Sequence, residues 1–331
     1  MRIVADSAIP YIDPTVESAA EVVRIAGASI TAGDVRDADA LIVRTRTRCD
    51  AVLLEGSRVR IVATATVGFD HIDTEYCRRR GIRVATAAGC NARAVMQWVA
   101  ATLVHLSRVQ GWRPAERTVG VVGVGNVGSL VSEYARSWGF RVLCCDPPRE
   151  AAGEHGFVGM EQIAAQADII TFHVPLDETT RHLADGNLLS SLAKHCTIIN
   201  SSRGEVVDGT ALLASGLPYA LDVWEGEPHL NRTLLEHALV ATPHIAGYSA
   251  QGKANATVMA VRAVSEELGL PLAEWSPRDA EPQMPRAIEW DELCATIDGC
   301  FDIAAETRYL KSHPDQFEHL RDTYRYRKEY F

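Results

Sequence analysis

The six residues Gly123-Val124-Gly125-Asn126-Val127-Gly128 constrain this chain more than any other stretch, because they follow an apolar run at 119–122 and open a segment of helical spacing that runs towards Trp138. A strand entering a helix through such a turn needs glycine for a backbone angle that side chains resist, for the close approach of a ligand, and for tight packing of helix on strand. The first helical turn then offers unpaired amide N–H groups and the positive end of the helix dipole, a setting that suits a pyrophosphate. Asp146 ends the next apolar run, 142–145, where a carboxylate can accept both ribose hydroxyls of an adenosine. The same charge repels a 2′-phosphate, so NAD is expected over NADP, with Arg149 nearby as the one opposing signal. Methyltransferases share a glycine-rich turn followed by an acid, so the turn alone leaves the chemistry open.

The rest of the chain sets that turn in an α/β protein. With 331 residues and 47% apolar content there is material for two cores. Short apolar runs at 2–5, 40–43, 61–64 and 84–85 alternate with helical stretches and read as buried parallel strands. A helix over 92–108, with Val95, Val99, Leu103 and Leu106 at helical spacing, leads to the break Gly111-Trp112-Arg113-Pro114. Runs at 119–122, 142–145, 169–172, 197–200, 220–223 and 240–241 repeat the alternation. The expected fold class is α/β, with two Rossmann-like doubly wound parallel-sheet domains and a small α-rich segment after them. The first domain is expected over 1–91, completed by 252–269, and the nucleotide-binding domain over 92–251. A Pro-rich linker at 270–285 opens the tail, 270–331, with helices expected over 293–304 and 317–330.

Charge and cysteine usage narrow the function classes. A net charge of −10 works against phosphate backbones and anionic lipid headgroups, so neither nucleic acid nor membrane is an expected partner. An anionic small substrate then needs a local basic pocket. The eight cysteines show no metal-ligand or disulfide spacing and read as free thiols of a reducing cytoplasm. The first residues look like a strand instead of a leader, and no run is long enough to span a bilayer.

Three polar residues follow expected strands of the second domain, the end at which a doubly wound sheet carries its active site. Arg203 follows Asn200-Ser201-Ser202, Glu227 follows Trp224-Glu225-Gly226, and His244 follows Thr242-Pro243. A guanidinium can grip a carboxylate in a two-point fork, an imidazole can take a hydroxyl proton, and a carboxylate beside that imidazole favours its protonated form. Singly each has an ordinary explanation: a surface ion pair, a solvated loop acid, a cap. Together, behind a dinucleotide turn, they point to hydride transfer from a small anionic 2-hydroxy acid.

The strings Asn200-Ser201-Ser202-Arg203-Gly204-Glu205-Val206-Val207-Asp208, Leu221-Asp222-Val223-Trp224-Glu225-Gly226-Glu227-Pro228 and Thr242-Pro243-His244-Ile245-Ala246-Gly247-Tyr248, with the glycine turn, resemble the D-isomer-specific 2-hydroxyacid dehydrogenases. Val43-Arg44-Thr45, Thr64-Ala65-Thr66-Val67-Gly68-Phe69-Asp70-His71, Ala88-Gly89-Cys90-Asn91, Cys145-Asp146-Pro147-Pro148-Arg149 and Phe317-Glu318-His319-Leu320-Arg321 extend the likeness over the whole chain, towards a branch with a phosphorylated substrate. The resemblance implies Arg203, Glu227 and His244 as catalytic positions. It implies Gly123, Gly125, Asn126, Val127, Gly128, Asp146, Val174, Ser201, Ser202, Arg203, Asp222 and Gly247 as cofactor-binding, and Thr45, Thr66 and Tyr248 as substrate-binding. Thr45 stands where the family has Ser and keeps a hydroxyl; Val174 stands where Thr is common and loses one. A homodimer built through the tail is implied as well. Other members of the family, acting on phosphoglycerate or plain 2-hydroxy acids, share the same clamp and base, and NAD-sensing corepressor relatives keep those residues in a binding role.

Arg44, Arg46 and Arg48 alternate with Thr45 and Thr47 just past an expected strand, so an extended backbone there would throw three guanidinium groups to one side as a phosphate clamp. A solvated strand edge is the competing explanation. Arg325, Arg327 and Lys328 form a second basic group, read chiefly as a solvated helix surface and secondarily as an anion contact. His71, His105, His173 and His182 carry no functional reading, and no metal site is expected.

Overall fold

A computed structural model of the chain describes residues 1–282 and 285–331; Gln283 and Met284, within the linker expected at 270–285, lie outside the described residues. The chain divides into two compact units, Met1–Asn91 with Ser249–Gln283, and Ala92–Tyr248 with Met284–Phe331.

In the first unit five parallel strands, β1 (Arg2–Asp6), β2 (Glu21–Ile25), β3 (Ala40–Val43), β4 (Ile61–Thr64) and β5 (Arg83–Thr86), stand in the order β2-β1-β3-β4-β5. The two central strands β3 and β4 are buried at every position, which is why they read as unbroken apolar runs. The edge strand β2, Glu21-Val22-Val23-Arg24-Ile25, has no fully buried residue and carries a charge at two positions, so its apolar signal was too weak to show as a strand in the sequence. The helix Ala250–Leu268 packs Ala256, Ala260, Val261 and Val264 against Ile3, Ile42, Ile61 and Ala63, and Leu272 and Trp275 complete this core.

The second unit holds six parallel strands, β6 (Thr118–Val122), β7 (Arg141–Cys145), β8 (Ile169–Phe172), β9 (Thr197–Asn200), β10 (Tyr219–Leu221) and β11 (Val240–Ala241), in the order β11-β10-β9-β8-β6-β7. The two sheets confirm the α/β, doubly wound expectation. The register is the feature that positions the chemistry. Cys145 pairs with Val122, Val122 with Phe172, Phe172 with Asn200, Asn200 with Leu221 and Leu221 with Ala241. Six strands therefore end level, and the loops after them leave one edge of the sheet side by side.

The long helix Ala92–Gln110 is buried on most of its surface and stops at Gly111, whose φ of 73° is left-handed. Strand β10 ends at Leu221, two residues before the expected boundary. The tail differs more from expectation. The helix expected over 293–304 is two helices, Trp290–Cys300 and Ile303–Ser312, because Phe301 turns extended to bury its ring and Asp302 caps the second helix by accepting from the Ala305 N–H at 2.9 Å. The helix expected over 317–330 covers only Phe317–Asp322; beyond it the backbone is irregular and draws Arg327 and Phe331 into the interior. Ile288, Trp290, Leu293, Ile297, Phe301, Ile303 and Phe331 thus belong to the same apolar cluster as Trp112, Trp138 and Phe140. Trp290 stacks on Trp112 at 6.4 Å and meets Phe140 edge-on at 5.6 Å.

Phe331 is 1% exposed and packs edge-on against Tyr134 and Trp138. Replacing it with Ala should lower unfolding stability by roughly 3–5 kcal/mol in a urea titration, as for other buried large-to-small aromatic changes. A loss below about 1 kcal/mol, the range of an exposed site, would show that this end of the chain is not part of the core.

Candidate active site

The glycine-rich turn lies between β6 and the helix Asn126–Ser137. Gly123 adopts φ 83°, and a Cβ there would stand 2.7 Å from the His173 carbonyl oxygen and from Val174 Cγ1. At Gly128 a Cβ would fall 2.0 Å from the Gly123 carbonyl oxygen, so only glycine lets the helix start this close to the strand. Gly125 is different: a Cβ would meet nothing within 4 Å, and both Gly125 and Asn126 are exposed. The missing side chain there leaves the helix N-terminus open, the cradle a pyrophosphate requires. Asp146 accepts the Val124 N–H through Oδ2 at 2.7 Å and the Arg149 N–H through Oδ1 at 3.1 Å. Each oxygen keeps further lone-pair capacity for a ribose hydroxyl. Arg149 is itself engaged by Glu154, with Nε 2.9 Å from Oε1, and donates to the Val124 carbonyl. Ser201 Oγ, on the loop after β9, is buried without a hydrogen-bond partner, an unmet polar group in the row of loops that follows the turn. These residues fit a bound dinucleotide.

The loops after β9, β10 and β11 carry the other polar residues. Asn200 shapes the first: its Oδ1 accepts from the Ser202 N–H at 3.0 Å and the Ser202 hydroxyl at 2.7 Å, and its Nδ2 donates to the Arg203 carbonyl at 2.7 Å. Gly204 then lies against the next loop so closely that a Cβ would stand 2.1 Å from the Trp224 carbonyl carbon. Arg203, partly buried between these contacts, donates from Nη1 to the Ser202 carbonyl at 2.8 Å.

His244 has φ 57°, uncommon for a residue with a side chain, and its N–H donates to the Asp222 carbonyl at 2.8 Å. Its Nδ1 lies 2.5 Å from Glu227 Oε1. A carboxylate only accepts, so Nδ1 carries the hydrogen and Nε2 is left as the atom that can take a proton. Burial alone would raise the Glu227 carboxyl, but the hydrogen bond and charge of His244, with the charge of Arg321, outweigh it and hold the group below its ordinary 4.5.

The loop bearing His244 is fixed from both sides of its backbone. Asp222, buried, accepts from the Thr242 hydroxyl at 2.6 Å, the Ile245 N–H at 2.8 Å and the Ala246 N–H at 2.9 Å. Burial pushes its carboxyl up, against the His244 charge and those hydrogen bonds. The carbonyls of the same loop are held by Arg327. Its Nη1 donates to Ile245 and Tyr248, each at 3.0 Å, and its Nη2 to Ala94 at 2.8 Å and to Ala246, while the guanidinium carbon stands 4.4 Å from the Phe301 ring centroid. Arg327 is therefore neither a solvated helix residue nor an anion contact, as its basic neighbourhood had suggested; Arg325 and Lys328 remain on the surface. Arg321, also unmarked as a site residue by sequence reasoning, donates from Nε to the Tyr248 hydroxyl at 3.2 Å and brings Nη1 to 3.9 Å from Glu227 Oε1. The Tyr248 ring meets Tyr324 and Tyr326 edge-on at 6.2 Å and 5.9 Å.

In the first unit the expected row of three arginines does not form. The backbone turns after β3, with the Thr47 N–H donating to the Arg44 carbonyl at 3.1 Å, because Thr47 is drawn inward to donate its hydroxyl to the Gly27 carbonyl at 3.0 Å. Arg44 reaches the Ala8 carbonyl at 3.1 Å and Arg48 pairs with Asp50 at 2.8 Å, while Thr45 and Arg46 are exposed at the turn. Thr66, just past β4, shares a 2.6 Å hydrogen bond with Thr64, which in turn lies 3.2 Å from His71 Nε2. Burial holds His71 below its ordinary value, against the charge of Asp70. His173 is pushed down to about 3 by burial, and His182 pairs with Glu225 at 2.8 Å. Among the described residues no His, Cys, Asp and Glu cluster is arranged to hold a metal.

Comparison with known proteins adds three findings. Residues 84–246 match the family profile described as D-isomer specific 2-hydroxyacid dehydrogenase, NAD binding domain. The chain is 46% identical to an erythronate-4-phosphate dehydrogenase of Bacteroides thetaiotaomicron, across 99% of this chain and 97% of that one, and 39% identical to the Porphyromonas gingivalis protein of the same name, across 99% and 94%. Its fold is shared with an NAD+-bound 3-phosphoglycerate dehydrogenase of Entamoeba histolytica, with a TM-score of 0.69 at 22% identity, covering 86% of this chain and 99% of that one.

The depressed Glu227 carboxyl links the site to pH. A carboxyl lowered in the folded state contributes stability that is present above its unfolded value and lost as pH falls through the folded one. The stability difference between the wild type and Glu227→Gln, measured by urea unfolding, should therefore be largest near neutrality and narrow on acidification below about 4.5. A difference that stays constant over that range would mean the carboxylate gains nothing from His244 and Arg321.

Proposed function

The chain belongs to the D-isomer-specific 2-hydroxyacid dehydrogenase family and is an NAD-dependent dehydrogenase, and from this premise we propose that it oxidises 4-phospho-D-erythronate to the corresponding 2-oxo acid, a step of pyridoxal phosphate biosynthesis. What carries the mechanistic reading is the 2.5 Å hydrogen bond between His244 and Glu227, on loops that leave the same sheet edge as the glycine-rich turn. Gly123, Gly125, Asn126, Val127 and Gly128 would hold the pyrophosphate and Asp146 the adenosine ribose, with Val174, Ser201, Ser202, Asp222 and Gly247 along the same edge. NAD, once bound there, supplies the hydride acceptor.

Arg203 grips the substrate carboxylate in a two-point fork and thereby fixes the direction of the C2 hydrogen. His244 Nε2 removes the C2 hydroxyl proton, and Glu227 across the ring stabilises the imidazolium that results. Arg44, Thr45, Thr66 and Tyr248 would contact the remainder of the substrate. No helix among the described residues is long and apolar enough to cross a membrane. Among the described residues the eight cysteines form no disulfide, which suits the cytoplasm, where we place the enzyme as a homodimer.

His244→Ala should reduce turnover by roughly 10²–10⁴-fold, the usual worth of a general base; activity within a few-fold of wild type would remove the assignment. Glu227→Gln should lower kcat by roughly 10-fold or more, because the imidazolium formed on proton transfer loses the carboxylate that stabilises it. An unchanged kcat would mean that Glu227 does not support the base. The substrate itself is tested by a panel of phosphorylated and plain 2-hydroxy acids followed through NADH formation. Preference for the phosphorylated four-carbon acid is expected, and equal rates on the plain acids would defeat the substrate assignment.

A further inference from the structure

Arg321 is the polar group at this site that the mechanism leaves unused. It sits at the end of the short helix Phe317–Asp322, with its side chain 28% exposed. Its Nε bonds the Tyr248 hydroxyl, and Nη1 approaches the same Glu227 oxygen that bonds His244. Among the described residues these are the only polar contacts of its guanidinium, and the 3.9 Å approach is too long for a hydrogen bond. A planar cation with five N–H donors thus makes one side-chain hydrogen bond and keeps further donors at a partly exposed surface, beside the base and within a chain of net charge −10. An anion arriving at that surface would meet the spare donors of a guanidinium already anchored by its Tyr248 bond.

We propose that Arg321 binds the phosphoryl group of the substrate, so that the C-terminal tail supplies the determinant that selects a phosphorylated 2-hydroxy acid. This rests on the functional reading above, in which Arg203 takes the carboxylate and the second anionic group of the substrate has no residue of this unit assigned to it. The tail also shapes the wall on which that group rests: Tyr324 and Tyr326 flank the Tyr248 ring, and Arg327 fixes the Tyr248 carbonyl. The turn at 44–48, from which a phosphate clamp was expected, spends Arg44 on a backbone carbonyl and Arg48 on Asp50.

The test compares kcat/KM for 4-phosphoerythronate and for plain erythronate in the wild type, Arg321→Ala and Arg321→Lys, with inorganic phosphate as a competitive inhibitor in each. The ratio of the two kcat/KM values should fall roughly 10–100-fold in Arg321→Ala, the worth of charge-assisted hydrogen bonds to phosphoryl oxygens, and less in Arg321→Lys. Inhibition by phosphate should weaken in the same order. Equal losses on both substrates, with the ratio and the phosphate inhibition unmoved, would make Arg321 a positioning residue for Glu227 and overturn the proposal. If Arg321→Ala does not fold, Arg321→Lys and the phosphate inhibition decide the matter alone. A wild type with no preference for the phosphorylated acid overturns the substrate reading together with this inference, whereas a preference that survives both variants overturns this inference only.

Discussion

Because a parallel ladder dictates which residues stand side by side, the row Cys145, Val122, Phe172, Asn200, Leu221 and Ala241 obliges six loops to begin at the same height. Asp146, Gly123, Val174, Ser201 to Arg203, Asp222 and His244 all lie within the first few positions of those loops. A one-residue slip at any strand would turn that strand's side chains to the opposite face and displace its loop, so the apolar packing that pins the register also pins the polar groups. The cores beneath, with strands buried at every position, thus also hold these loops in place.

Above that edge the limiting element is the turn at 242–248. A left-handed backbone at His244 costs on the order of 1–2 kcal/mol and persists only where the surroundings over-determine it. Here they do, with the buried Asp222 carboxylate taking the amide hydrogens and the buried Arg327 guanidinium taking the carbonyl oxygens of one short stretch. Both clamps are charges of opposite sign, each satisfied mainly by backbone dipoles. Leaving either set of loop groups unpaired would cost about 1–3 kcal/mol per buried group.

How far the molecule could be read from its sequence follows from how local each determinant is. The strands β3, β4, β6, β8 and β9 are unbroken apolar runs, and the glycine at 128 is demanded by the Gly123 carbonyl five residues before it, so both were legible. Strand β2 was not, since its half-exposed edge mixes Glu21 and Arg24 with three valine and isoleucine side chains. The arginines at 44, 46 and 48 looked extended because alternation was the only local signal, whereas the turn is imposed by Thr47 reaching a carbonyl twenty positions upstream. The tail was hardest. Tyr-Arg-Tyr-Arg-Lys is a polar run by any local measure, and what buries Arg327 is a set of carbonyls that belong to a loop and a helix far away in the chain. Arg321 was visible as part of a family-like string, yet nothing near it in sequence says that it meets Tyr248 and Glu227.

The Arg327 clamp also sets an order of events during synthesis. The strands and the turn that carries His244 leave the ribosome well before residue 327 is made, 81 positions beyond Ala246. Until that guanidinium arrives, Asp222 holds only the amide side of the turn, and the carbonyls of Ile245, Ala246 and Tyr248 have water for partners. A chain made only as far as both sheets would therefore have the turn held from one side alone, and the distant Arg327 segment acts as a late-arriving brace for the loop.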